Sequence, residues 1–127
     1  LPAAAFFHIP PTETPTLLTR GDFPPEGTPP AKKLWEAAPI NTGMFYALLE
    51  SRAVRCAFFG HAHGTDLAGS LHGLGLAYGR YSGGDNRRFR LSSGVRVIDI
   101  APDAQSLSTF VWLPDAPPGP TLRFPKK

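Results

Sequence analysis

Cysteine is nearly missing from this sequence: Cys56 is the single one among 127 residues. No disulfide can form within the chain, and a lone thiol inside the apolar run Val54-Arg55-Cys56-Ala57-Phe58-Phe59 reads as a small buried residue. Long apolar runs are missing too. None approaches the roughly 20 residues that cross a bilayer, so no membrane segment is expected. No signal-like hydrophobic stretch with a cleavage pattern is visible. Charge of one sign is scarce: 13 basic against 10 acidic residues leave a formal charge of +3. Arg87, Arg88, Arg90, Arg96, Arg123, Lys126 and Lys127 tilt the last third toward basic. They form no stripe and accompany no nucleic-acid motif, so they read as a solvated surface, and nucleic acid is not an expected partner.

Apolar residues make up 42% of the chain, enough for a core. The chain opens on Leu1, and Ala3 to Ile9 read as a buried strand already under way. That is the expectation for a fragment rather than for a processed mature protein. Pro10 and Pro11 stop the strand, because proline donates no hydrogen bond to a ladder. From Pro10 to about Ile40 the chain is rich in Pro, Thr and Gly without sustained periodicity, as in a loop that rims a site or in an insertion. Asn41 or Thr42 then suits the N-cap of a helix ending near Ser51-Arg52, with Phe45, Leu48 and Leu49 on one apolar face. Val54 to Phe59 reads as a buried strand. Four shorter strands are expected over residues 67–71, 74–78, 95–100 and 108–113, punctuated by Gly73, Gly75, Gly83 and Gly84. In the third, apolar and polar residues alternate imperfectly. From Pro114 the prolines return, and an irregular tail is expected. A helix followed by strands places the chain in a mixed α/β or α+β class. A run of hairpins packed on a sheet suits its second half.

The residues with chemistry to offer are histidines. In Gly60-His61-Ala62-His63 two imidazoles, two residues apart, leave the C-terminal end of an apolar strand, where α/β sheets place their ligands. Imidazole suits zinc, iron and similar ions. Gly60 allows a tight turn off the strand. A His-x-His pair alone fits two surface histidines equally well. His8, however, also ends an apolar strand. His72, between Leu71 and Gly73, reads as a hairpin residue.

An ordered set of motifs then resembles one family. Phe6-Phe7-His8-Ile9-Pro10 with Glu13, Asn41-Thr42-Gly43-Met44-Phe45, Gly60-His61-Ala62-His63-Gly64-Thr65-Asp66, Leu76-Ala77-Tyr78-Gly79-Arg80 and Ser93-Gly94-Val95-Arg96-Val97-Ile98 occur in family order. Together they resemble the calcineurin-like metallophosphoesterases, in the purple-acid-phosphatase-like (Dcr2/Sia1-type) branch. The resemblance implies the C-terminal half of a four-layer αββα sandwich over residues 1–113, followed by a tail over residues 114–127. It implies a hydrolase acting on phosphate esters through a hydroxide bridging two divalent or trivalent metal ions (Fe, Zn or Mn). His8 and His61 would bind one ion and His63 the other. Asp66 would orient the turn, and Glu13 and Arg80 would line the substrate side.

The resemblance is incomplete. The family's earlier Asp-x-His, Gly-Asp-x-x-Asp and Gly-Asn-His motifs do not occur in these residues, and neither Asp22 nor Asp85 sits in a substitute for them. With them go the bridging carboxylate, the Asn ligand and the histidine that protonates the leaving group, so no catalytic residue is assigned. Ala62 replaces a frequent Asp, and Gly64-Thr65 replaces a frequent x-Asn. The resemblance therefore implies an incomplete metal site, a chain inactive alone, and two partners: a phosphorylated substrate and the N-terminal half of the same domain. A different class also fits, a non-catalytic remnant serving as a binding or regulatory module. A single structural zinc on the three histidines fits less well, because such sites use four protein ligands.

Overall fold

The structure is a computed structural model that describes residues 2–31, 35–84, 91–103 and 105–125. Arg87, Arg88, Arg90, Asp85, Lys126 and Lys127 of the sequence reading lie outside them. The architecture is mixed α/β, with two sheets and few helices. Strand β1 spans Ala3–Phe7. A 3-10 turn at Thr14–Thr16 runs into the short helix α1, Leu17–Arg20. Helix α2 covers Met44–Ser51, and β2 follows at Val54–Phe59. Then come β3 (Ala68–Leu71), β4 (Leu74–Tyr78), β5 (Val95–Ile100), β6 (Leu107–Trp112) and β7 (Leu122–Phe124). No described helix is long and apolar enough to cross a membrane.

The first sheet has the order β1-β2-β4-β3, with β1, β2 and β4 parallel and β3 antiparallel to β4. Parallel neighbours need a long crossover, which residues 8–53 with α2 provide between β1 and β2. β2 and β4 are the buried centre, which explains their nearly unbroken apolar sequences. β1 was expected to be buried, but among the described residues it is an edge strand paired with β2 alone, and Phe6 is 66% exposed. The second sheet is antiparallel, β5-β6-β7.

Two apolar clusters lie on the two faces of the first sheet. One joins Ala57, Phe59, Leu76 and Tyr78 to Phe45 of α2 and Leu17 of α1, with Leu48, Leu49 and Trp35 packed against it. The other joins Cys56, Phe58 and Ala77 to Leu107, Phe124 and Ile98 of the second sheet. Among the described residues the layers are thus helix, sheet, sheet. The four-layer sandwich would require a further helical layer outside the second sheet, and no described element supplies one.

Three local departures from the sequence reading have physical causes. The N-cap of α2 is Gly43, in a left-handed conformation, and Asn41 instead accepts the Gly43 N–H on its side-chain oxygen at 2.8 Å. The segment from Pro10 to Ile40 is not merely irregular: Thr14 and Leu17 are buried, and Glu26 bridges to Ala68 beside the sheet. The tail is irregular only as far as Thr121. Beyond it Leu122–Phe124 pair with β6, and Phe124 is fully buried. Prolines at 114, 117, 118 and 120 mask that strand, because it starts only after the last of them.

Candidate functional site

The parallel pairing of β1, β2 and β4 brings their carboxyl ends to one edge of the sheet. Phe7 sits opposite Phe59, so the residues that follow each strand emerge side by side. The ladder continues beyond the strands: Gly60 N–H donates to the His8 carbonyl at 3.0 Å, and Gly79 N–H to the Phe59 carbonyl at 2.7 Å. The imidazoles of His8 and His61 consequently meet edge to face, with ring centroids 5.0 Å apart and His8 Nε2 3.1 Å from His61 Nδ1. Both residues are exposed.

The tight turn expected at Gly60 is carried by its neighbour. His61 holds a left-handed φ of 68°, whereas Gly60 has an ordinary backbone. A Cβ placed on Gly60 would meet only His8 Nδ1, at an unstrained 3.8 Å. A left-handed non-glycine residue costs about 1–2 kcal/mol, so the surroundings of His61 must hold it there.

His63 points elsewhere and lies against the Tyr81 ring, with centroids 4.6 Å apart. Its partner therefore comes from the segment after β4. Glu13 accepts from Asn41 Nδ2 at 2.7 Å and from the Thr12 hydroxyl at 3.1 Å, tying the exit of β1 to the approach of α2. Those are the two ends of the crossover, which gives both motifs a local structural reason to occur together.

Asp66 is buried, 5% exposed. Its carboxylate takes the Thr28 N–H at 2.6 Å and pairs with Arg80 Nη1 at 2.6 Å. Arg80 also donates from Nε and Nη2 to the Ser92 carbonyl, at 2.8 and 2.5 Å. The Arg80 side chain is 5% exposed, so its guanidinium is bound within the fold. Arg96, expected on a solvated surface, turns inward. It donates to the carbonyls of Tyr78 and Asp66 and, at 3.4 Å, to the Thr109 hydroxyl. Burial lowers its pKa, and the Asp66 charge partly restores it. This network fastens the end of the 60–66 turn to both sheets.

Sequence reading missed Glu36. Its Oε2 lies 4.0 Å from His61 Nε2, on the ring edge away from His8. It comes from the Pro-rich stretch, at a position that neither periodicity nor a motif marks. Tyr78 was matched only as part of a strand, yet its hydroxyl donates to the Trp35 carbonyl at 2.8 Å and anchors that stretch. Burial, and then the Glu36 charge, push the Tyr78 phenol upward, so it stays protonated and able to donate.

The separation of His8 Nε2 and His61 Nδ1 suits two ligands on one ion held about 2.0–2.1 Å from each nitrogen. Among the described residues, however, no group of three or more His, Cys, Asp or Glu side chains is placed to hold a metal ion. The pair fits two positions of a coordination shell, and the rest would need donors beyond the described residues. A groove of about 330 Å³ lies nearby between the β1 and β5 edges, lined by Phe6, Phe58, Val95, Arg96 and Ile98. None of the three histidines lines it.

The histidines follow the carboxyl ends of parallel strands, the edge at which α/β sheets commonly bind their ligands. The sequence comparison narrows this. Over 82 residues, 61% of this chain, the sequence is 38% identical to the protein named Probable inactive purple acid phosphatase 29 from Arabidopsis thaliana, of which the match covers 19%. The chain thus spans about a fifth of that relative's length. No family model matches the sequence. No solved structure matches it either. The likeness is to part of a protein named as a probable inactive purple acid phosphatase.

Proposed function

We propose that this chain carries one side of the metal centre of a metal-dependent phosphoesterase of the purple-acid-phosphatase-like branch. His8 and His61 serve one ion and His63 a second, each Fe, Zn or Mn, and polypeptide outside these residues supplies the remaining ligands. The observation that carries this reading is the 3.1 Å approach of His8 Nε2 to His61 Nδ1 across the parallel β1–β2 pair. When bound, such ions neutralise phosphate oxygens and lower the pKa of water between them. The chain's own contribution is positional. β1 and β2 set the spacing of His8 and His61, and Asp66, Arg80 and Arg96 hold the far end of the turn that presents His61 and His63. The substrate class is a phosphate ester, and this chain alone is inactive.

Titration of the chain with Zn²⁺ is expected to show one weak site that His8→Ala and His61→Ala each abolish. A wild-type chain with no saturable site overturns the reading. Turnover of p-nitrophenyl phosphate with added Mn²⁺, Zn²⁺ or Fe is expected to stay at the metal-only background, and robust turnover would show that these residues suffice.

The relative's name favours a second reading, a non-catalytic remnant that acts as a binding or regulatory module. Metal analysis of a longer protein containing these residues separates the two. Two bound ions support the enzyme, and none supports the remnant.

A further inference from the structure

Four described non-glycine residues hold a left-handed backbone: Glu36, Arg52, His61 and His72, with φ of 49°, 51°, 68° and 53°. Two have ordinary reasons. Arg52 caps the C-terminus of α2, and His72 turns the β3–β4 hairpin. The other two, Glu36 and His61, face each other across 4.0 Å. Such conformations persist where the surroundings over-determine them, and they gather at functional sites.

The restraints on Glu36 are visible. On one side the Trp35 carbonyl accepts the Tyr78 hydroxyl at 2.8 Å, fixing the segment to β4. On the other, Ala38 N–H donates to the Pro10 carbonyl at 2.9 Å, fixing it two residues past His8. Glu36 is thus held between two anchors, one on β4 and the other just past His8 at the exit of β1. The result is a chain of polar groups: the Glu36 carboxylate at His61 Nε2, and His61 Nδ1 at His8 Nε2.

We propose that Glu36 is a positioning residue that holds His61 as its Nε2–H tautomer, leaving the Nδ1 lone pair facing His8. A carboxylate only accepts, so it favours a proton on the ring nitrogen nearest to it. A neutral imidazole carries one such proton, and the nitrogen without it is the one that can ligate. Carboxylates act in this way on metal-binding histidines. The use of the lone pair rests on the metal-site reading above; the tautomer itself does not. At 4.0 Å the contact is an ion–dipole one, and both side chains are open enough to shorten it into a hydrogen bond, at 45% and 40% exposure.

The test uses the whole chain without metal, above about pH 8, where ordinary imidazoles are neutral. Long-range ¹H–¹⁵N correlation spectra report which ring nitrogen of each histidine carries the proton. His61 is expected as Nε2–H in the wild type and as a mixture in Glu36→Ala. Glu36→Gln, whose amide oxygen still accepts, should restore much of the preference, and the His63 and His72 tautomers should stay unchanged. A parallel Zn²⁺ titration should weaken about tenfold in Glu36→Ala. A wild-type His61 protonated on Nδ1 overturns the proposal, as does the same tautomer in wild type and Glu36→Ala. Failure of the wild type to bind Zn²⁺ removes the metal reading alone, because the spectra still decide the role of Glu36.

Discussion

Asp66 carries more of the structure than its place in a short motif indicates. Its side chain and that of Arg80 are 7% and 5% exposed, and the pair is further bonded to Thr28 and Ser92. Deleting one partner of a buried pair leaves an uncompensated charge, at a cost of about 3–5 kcal/mol. Asp66→Ala is therefore expected to lose stability of that order in urea unfolding. A loss below about 1 kcal/mol would instead rank the pair with exposed salt bridges. Asp66 could be read as a residue that orients the turn only through the resemblance of Gly60 to Asp66 to the family's turn. Its partners could not. Arg80 reads equally well as a substrate residue or an internal tie until the Ser92 carbonyl and the Asp66 carboxylate are seen around it. Arg96 left one trace, the imperfect alternation of Val95 to Ile100. Arg96 points into the fold between Tyr78, Asp66 and Thr109, although it was expected on a solvated surface.

Among the elements, the strands within apolar runs were the most legible. β2 and β4 fall where their apolar runs and the flanking glycines place them, because a buried central strand is apolar on both faces, and β5, an edge strand of the second sheet, also falls at its expected residues. β7 was not legible: three residues after a run of prolines form a strand only because β6 offers an edge and Phe124 finds a cavity. The β3–β4 hairpin was expected, but not the residue that closes it. Asp22, from the Pro-rich stretch, accepts the Ser70 hydroxyl at 2.5 Å, His72 N–H at 2.9 Å and Gly73 N–H at 2.8 Å. Partial burial raises the Asp22 pKa, but the bonds from Ser70, Gly73 and His72 outweigh it, and the net shift is downward. The folded pKa is thus below the unfolded one. Asp22 stabilises the hairpin above the unfolded value, near 3.9, and loses this effect as pH falls through the lowered folded value. The stability gap between wild type and Asp22→Asn should be open at neutral pH and narrow below about pH 4. A gap constant from pH 7 to pH 3 would show that the carboxylate charge is not what matters.

At the scale of the whole molecule, the second sheet closes over the first at one spot with little tolerance. Gly75 pairs with Cys56 between β2 and β4. A Cβ on Gly75 would lie 2.7 Å from Cys56 Sγ and 2.9 Å from Phe124 Cδ1. No substituent fits there, so Gly75 is needed for the close approach of the tail's aromatic ring rather than for a special backbone angle. The mixed α/β class was readable from sequence because it follows from the order of elements. The way the sheets close was not, since it depends on a phenylalanine at position 124 reaching a glycine at position 75.

That closure makes the chain's one thiol a clock. Cys56 is wholly enclosed, and burial drives its pKa upward against the pull of Arg96, so the nucleophilic thiolate is denied both access and formation. A disulfide reagent can then react only after the sheets part. The labelling rate should become independent of reagent concentration at high reagent, where it equals the opening rate, and Phe124→Ala should raise it at least tenfold. Rapid labelling of the native chain at a rate proportional to reagent would mean that the enclosure breathes without unfolding. The same sulfur that cannot crosslink this molecule would thereby time how long it stays shut.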